Sequence, residues 1–349
     1  MAFEINGKMV SRLITHNGSF HSDDVFATAL LLGMNSTDLG IGFENIAEYM
    51  EHYYGSADGG IVKPEQVILV GGCDLSIERV SSEQADAILA DAAQNPEHDN
   101  FIMYDVGNGL YDHHRAPRET RENGVPYCAF GKLWRDLGSE LVRMIEGNPI
   151  QVEDFDRTFV QPICLNDNQG IPNILSLTIK YLNTANTHDD EEQLGAFAEA
   201  VDYAQATLLT WFNNMRSEAA AAIHDIIDRF SGVIEDGSGN QLMLIYDHEV
   251  NPHYASKFYP NVKAVIYPHS RGGWAIESLS DTEIGKSIIN RWRAPESFWG
   301  KTDPNDDQLT AVGAKFCHAT GFIMSFIEKE DALDFAREVC GPDAVLRMI

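Results

Sequence analysis

Short apolar runs alternating with helical stretches are the feature that most restricts how this chain can fold. "NFIM" (100–103) is too short for a helix, and after a polar turn comes "PYCAFGKLWRDLGSELVRMI" (126–145), whose apolar residues recur at helical spacing. The same succession appears twice upstream. "MVSRLIT" (9–15) leads into "DDVFATALLLGM" (23–34), and "QVILVGG" (66–72) leads into "SSEQADAILADAAQ" (81–94), which opens on a capping-type serine. A continuous apolar run such as "QVILVGG" reads as a strand buried on both faces, the habit of parallel sheets. The alternation predicts an α/β fold with a doubly wound, mostly parallel sheet. Residues 35–65, rich in Gly, Glu and Tyr, carry no pattern that names an element.

From about residue 152 the texture becomes helical. "VEDFDRTFVQPICLNDNQGIPN" (152–173) reads as helix up to its Gly170–Pro172 break, and "ILSLTIKYLNT" (174–184) continues it. Between Glu191 and Phe230, apolar spacing at Phe197, Val201, Ala204, Leu208, Phe212 and Met215 predicts one or two long helices. Strands then return in "QLMLIYD", "VKAVIYP" and "GGWAIESL", and a helix from Lys329 closes the chain. The expected organisation is a first domain over 1–190, linking helices over 191–230, and a smaller mixed α/β domain over 231–349.

Composition narrows the function classes. Hydrophobic residues at 44% suit a well-cored globular chain, and the longest apolar stretches fall short of a bilayer span, so no membrane partner is expected. The opening "MAFEINGKMVSRLITH" lacks a signal-peptide apolar core, and five scattered cysteines without a C-x-x-C suit a reducing cytoplasm. A net charge of −28 would repel a long polyanion, which argues against a surface that coats nucleic acid. "KSIINRWRAPESFWGK" (286–301) is the local exception, interleaving Lys286, Arg291, Arg293 and Lys301 with Trp292, Phe298 and Trp299. That pattern serves single-stranded nucleic acid, or else a surface loop with a tryptophan anchor beneath it. Oligomerisation is left open.

The chemistry concentrates at the predicted strand ends, where open α/β sheets bind ligands. The first run ends in His16-Asn17-Gly18-Ser19-Phe20-His21-Ser22-Asp23-Asp24, and "NFIMY" ends in Asp105, with Asp112-His113-His114 in the next turn. A helix brings Asn166 and Asp167 to the Gly170 break. Imidazoles and carboxylates without thiolates favour Mn2+, Fe2+, Co2+ or Zn2+, with Mg2+ less suited to several histidines. There are more candidate ligands than one tetrahedral ion takes, which points to two divalent ions, roughly 3.5–4 Å apart in such sites.

"DHH" after a strand-ending Asp, an upstream His/Asp loop and a downstream helical Asp together resemble the DHH phosphoesterase superfamily. Within it the chain is similar to the melanocyte proliferating gene family, a branch of metal-dependent hydrolases and RNA exonucleases. The resemblance rests on "THNGSFHSDD" (15–24), "YDVG…YDHH" (104–114), "NDNQGI" (166–171), "GGWAIES" (272–278) and "CHATGFI" (317–323), in order along nearly the whole chain. It implies a DHH phosphoesterase-like fold and two metals, Mn2+ first among the candidates. His16, His21 and Asp105 would hold one metal. Asp23, Asp105, His113 and Asp167 would hold the other, with Asp105 bridging. Asp112 would orient its neighbouring imidazole, and His114 would face the substrate phosphate with Arg115 or Arg118. The smaller domain would grip substrate through His318, Gly321 and Arg271. Where the superfamily has its first loop Asp, this chain has His21, one negative charge fewer. Residues 35–100 depart from the family pattern, so Asp74 receives no role.

Three functional readings follow from the sequence. The first is a metal-dependent 3′→5′ exonuclease or nano-RNase on short single-stranded RNA or DNA. The second is a phosphohydrolase for a small molecule such as a cyclic dinucleotide or pyrophosphate, and the third a non-catalytic, metal-stabilised binding protein. Asp105, Asp112, His113 and His114 are the expected catalytic set in the first two.

Overall fold

The computed structural model describes residues 3–5, 7–35, 66–70, 75–114, 117–183, 190–221, 229–281, 288–302 and 305–349. Asp74, Arg115 and Lys286 lie outside them. The chain divides into two compact units, Met1–Arg216 and Ser217–Ile349.

In the first unit a hairpin pairs β1 (Phe3–Ile5) with β2 (Lys8–Val10). A four-stranded sheet then takes the order β4-β5-β3-β6, formed by β3 (Arg12–His16), β4 (Gln66–Val70), β5 (Leu75–Val80) and β6 (Phe101–Met103). β3 runs parallel to both β5 and β6, with Ile14 opposite Glu78 on one side and Met103 on the other. β4 is an edge strand antiparallel to β5, so "QVILVGG" forms a strand as expected but departs from the mostly parallel pairing. The inner strand beside it is "LSIERV", disguised by two charges. Glu78 is buried because it accepts both nitrogens of the Arg12 fork at 2.7 Å, and Arg79 is buried outright.

The two faces of this sheet are covered by different helices. On one face α2 (Ser82–Gln94) packs Ala85 and Ile88 against Ile14, Val80, Phe101 and Met103. Its start is set locally: Ser81 accepts the Gln84 N–H while the Gln84 side chain accepts the Ser81 N–H, a reciprocal cap. On the other face, Leu13, Ile77 and Ile102 meet a layer built from α1 (Ser22–Asn35) and α3 (Ala129–Met144). That layer continues through α4 (Ile150–Phe155), a π-helical stretch (Asp156–Val160), α5 (Gln161–Gln169), α6 (Ile174–Leu182) and α7 (Asp190–Ala221). α7 is one continuous helix, and the six apolar positions picked out by spacing are all buried. The free thiols of Cys128 and Cys164 also lie in this core, their Sγ atoms 2.9 Å apart.

The second unit is built on a seven-stranded sheet in the order β13-β14-β10-β9-β8-β7-β15. Its strands are β7 (Phe230–Glu235), β8 (Gln241–Tyr246), β9 (Ala264–Pro268), β10 (Trp274–Ser278), β13 (Ala314–Cys317), β14 (Ile323–Phe326) and β15 (Val345–Met348). Only β8 and β9 pair in parallel, and β11 (Ser280–Asp281) and β12 (Ile289–Asn290) form a separate ribbon. α8 (Pro252–Phe258) covers one face through Ala255, while α9 (Asp307–Ala311) and α10 (Lys329–Cys340) cover the other through Leu309, Ala332 and Phe335. Among the described residues no helix is long and apolar enough to cross a membrane.

The described part of the basic-aromatic stretch, 288–301, is anchored through its aromatic and basic side chains. Trp292 is buried, Phe298 and Trp299 pack on the core, and the Arg291 guanidinium is tied to Asp281 and to the carbonyls of Ser256, Tyr259 and Val262. Lys301 is likewise committed to Asp306. Phe298 and Trp299 stay half-buried, and the Arg293 guanidinium lies 5.7 Å from the Trp299 ring centroid.

Candidate metal centre

The centre grows from the carboxyl ends of the parallel strands β3 and β6. His16 is the last residue of β3, and the loop after it turns at Gly18, whose φ of 78° favours glycine. Three partners, two of them buried, fix that loop. Arg79 donates to the Gly18 carbonyl at 2.6 Å with its guanidinium 4.5 Å from the centroid of the Phe197 ring. The Asn183 side chain brackets Phe20, accepting from its N–H and donating to its carbonyl, and Ser176 hydrogen-bonds Ser22. α1 then starts at Ser22, so Asp23 and Asp24 occupy a first turn where carboxylates complement the helix dipole. Both are turned inward and are 0% exposed.

β6 delivers the central carboxylate. Tyr104 is clamped to α1 by a 2.6 Å bond between its hydroxyl and that of Thr28, and Asp105 follows in the left-handed region at φ 58°. This conformation is uncommon outside glycine and tolerated by Asp or Asn. It aims the two oxygens of Asp105 at different imidazoles: Oδ1 lies 2.9 Å from Nε2 of His113, and Oδ2 3.4 Å from Nε2 of His16. Nε2 of His113 also lies 3.3 Å from Asp167 on α5 and 3.5 Å from Asp23. His21, Asp23 and Asp167 present ligand atoms within 4.8 Å of one another, as do His16, His21 and Asp105. The fold therefore gathers all six residues expected as metal ligands.

The electrostatics of the centre disfavour several bare carboxylates side by side. Burial pushes the Asp23 carboxyl well above the ordinary range, and the charges of Asp105, Asp167 and Asp24 push it further. Asp24 and Asp167 are raised chiefly by burial as well. Asp105 moves the other way: burial opposes its charge, but the imidazoles of His113 and His16 beside it hold it low. Nε2 of His16, Oδ1 of Asp23, Oδ2 of Asp24, Oδ1 of Asp105, Nε2 of His113 and Oδ2 of Asp167 are all buried without a hydrogen-bond partner. Six such atoms facing one another would be costly in an ordinary core and are what a metal site looks like from the protein side. These buried His and Asp groups fit a divalent metal.

The remaining expected residues divide. Asp112 is buried, and its Oδ1 accepts from both the N–H and Nδ1 of His114, so the imidazole it orients is His114 and not the deeper His113. Burial opposes ionisation of Asp112, yet the His114 bond brings its carboxyl down to about 2 and raises the His114 imidazole in turn. His114 leaves 61% of its side chain exposed, at the mouth of the centre. Arg118 is exposed and donates to the Asn168 carbonyl. In the second unit Arg271 sits in the turn between β9 and β10, while His318 and Gly321 sit in the turn between β13 and β14. Nδ1 of His318 accepts from the Thr320 N–H, which leaves Nε2 to carry the proton.

Two residues escape a sequence reading. Asp24 is easily taken for a helix-capping acid, and Arg79 sits in a strand that two charges hide. The signal for Asp24 is its adjacency to Asp23 at the start of an otherwise apolar helix, and Arg79 has none.

Fold and site together define an α/β protein with a buried His/Asp centre, able to hold metal, at the ends of parallel strands. The model of the uncharacterised protein family UPF0160, the MYG1 exonuclease model, matches residues 98–339. The chain thus belongs to that family, the melanocyte proliferating gene family. It is 25% identical to the MYG1 exonuclease of Homo sapiens over 374 residues, covering 97% of this chain and 88% of the relative. It is 24% identical to the MYG1 exonuclease of Mus musculus over 369 residues, covering 93% and 84%. It is 22% identical to a MYG1 protein of Saccharomyces cerevisiae over 379 residues, covering 96% and 97%. No solved structure matches the chain.

Proposed function

We propose that this protein is a divalent-metal-dependent phosphodiesterase, a 3′→5′ exonuclease or nano-RNase acting on short single-stranded RNA or DNA. In this reading residues 1–190 are a DHH phosphoesterase-like catalytic domain and 231–349 a substrate-binding domain. The observation that carries the chemistry is the set of six buried, unpartnered ligand atoms around Asp105. The nuclease class is supported by relatives whose names are those of exonucleases.

Two divalent cations held by these residues, Mn2+ first among the candidates, would lower the pKa of a bound water towards neutrality and stabilise charge developing on a phosphate. The protein supplies the rest. Asp105, with one oxygen toward His16 and the other toward His113, links the two ligand groups. His114, held through Nδ1 by Asp112, presents Nε2 at the open side as a proton and charge donor for a phosphate oxygen. Arg118, and in the second domain Arg271 and His318, are the proposed grips on the remaining phosphate and sugar groups. The tight clamping of loop 16–22 by Arg79, Asn183 and Ser176 keeps His16 and His21 in place before any ligand arrives.

The net charge of −28 favours a second reading, a small phosphorylated substrate in place of a chain. One substrate panel separates them: a 5′-labelled oligoribonucleotide, its DNA counterpart, dinucleotides, a cyclic dinucleotide and pyrophosphate, each with Mn2+. Stepwise shortening of the oligonucleotides and cleavage of dinucleotides is the expected result. Turnover confined to pyrophosphate or the cyclic dinucleotide would replace the exonuclease reading with the second.

A further inference from the structure

The Asp24 carboxylate lies in the centre, outside the ligand pattern that resemblance implies. His16 shows what it faces. Its Nδ1 lies 2.8 Å from the Asn17 carbonyl, which can only accept, so Nδ1 keeps its proton and Nε2, whose lone pair a metal would take, is the atom turned inward. Nε2 faces two carboxylate oxygens, Oδ2 of Asp24 at 3.3 Å and Oδ2 of Asp105 at 3.4 Å. Three acceptors pointing at one buried spot repel unless a cation or a proton lies between them. Asp24 is 0% exposed and its Oδ2 accepts no hydrogen bond. Its other oxygen is fully engaged, since Oδ1 accepts the His21 N–H at 2.8 Å. One oxygen thus holds the His21 backbone while the other is free to bind. Asp23, Asp24 and Asp105 also bring carboxylate oxygens within 4.8 Å of one another.

Charge points the same way. Asp23, Asp24, Asp105 and Asp167 are together four carboxylates, and two divalent cations supply four positive charges. Without Asp24 the count would be three. His21 stands in a loop where a carboxylate would otherwise serve, and Asp24 restores that charge from one helical step further on.

Building on the two-cation reading, we infer that Asp24 is a metal ligand, its Oδ2 joining His16, His21 and Asp105 at the first cation, while Oδ1 positions His21. The test is Mn2+ stoichiometry, by elemental analysis after desalting and by titration of metal-free protein, with the melting temperature of each metal-free variant alongside. Asp24→Asn keeps an acceptor for the His21 N–H and offers Nδ2–H to the His16 lone pair. It should fold with a metal-free melting temperature no lower than wild type, bind one tight equivalent of Mn2+ where wild type binds two, and hold the second at least ~10-fold more weakly. Asp24→Glu should retain two. If Asp24→Asn fails to fold, Asp24→Ser, smaller and still able to accept from His21, gives the same reading. Two equivalents bound by the uncharged variant at wild-type affinity would overturn the ligand assignment alone. A wild-type chain that takes up no Mn2+ would overturn the cation reading itself and this assignment with it.

Discussion

Oδ1 of Asp112 stands 2.7 Å from Nδ1 of His114, and this pairing separates the two adjacent histidines into different tasks. His113 turns into the centre and His114 remains at its mouth. Asp112→Asn should therefore lower kcat/KM roughly 10–100-fold while leaving bound metal unchanged. Because Asp112 acts through His114, the Asp112→Asn/His114→Ala double variant should be no slower than His114→Ala alone. Steady-state kinetics beside elemental analysis checks both parts, and loss of metal in Asp112→Asn would show that the pair serves His113 after all.

Asp105 is held at φ 58°, so the informative substitution is the one that keeps this backbone. Asn tolerates the left-handed region as Asp does. Asp105→Asn should fold normally by circular dichroism yet bind divalent metal roughly 100-fold or more weakly, since both ligand groups lose their shared carboxylate. Equilibrium dialysis against Mn2+ measures it, and unchanged binding would remove Asp105 from the centre.

Arg79 is fully buried, donates to Gly18 and faces the Phe197 ring. Arg79→Met preserves much of the volume and removes the charge. A charged hydrogen bond and a desolvated cation–π contact are together worth about 3 kcal/mol, so urea unfolding of the metal-free protein should show destabilisation of about that size. Metal affinity should fall as well, because the His16–His21 loop loses its clamp. A variant as stable as wild type would mean that Asn183 and Ser176 suffice.

Gly321 lies at φ 70°, and a Cβ there would run into the Trp299 indole, which is itself fixed by donating to the Ala294 carbonyl. Gly321→Ala should cost roughly 1–3 kcal/mol in thermal or urea unfolding, from backbone strain and overpacking. Full stability with weakened substrate binding would instead favour the contact role that resemblance assigns to this glycine.

The fold was legible wherever one local signal decided an element. Ser81 and Gln84 announce the start of α2, and the spacing of Phe197 to Met215 predicts the buried face of α7, because caps and helical periodicity are short-range properties. Reading failed at "LSIERV". Glu78 and Arg79 break the apolar pattern, and only their partners, Arg12 and the Gly18–Phe197 pocket, make burial affordable.

By itself the sequence determined the kinds of candidate ligand and where they stand along the chain: imidazoles and carboxylates after two apolar runs and at one helix end, with no cysteine motif among them. Tertiary structure decided which of them meet. Parallel pairing of β3 with β6 sets His16 beside Asp105, and packing of α5 on α1 and α3 brings Asp167 to His113. Whether Asp24 caps a helix or faces a cation, and whether Asp112 serves His113 or His114, turns on side-chain directions a few ångströms apart. Residue order sets chemistry, but a distance between residues far apart in the chain exists only once sheet order and helix packing have closed it.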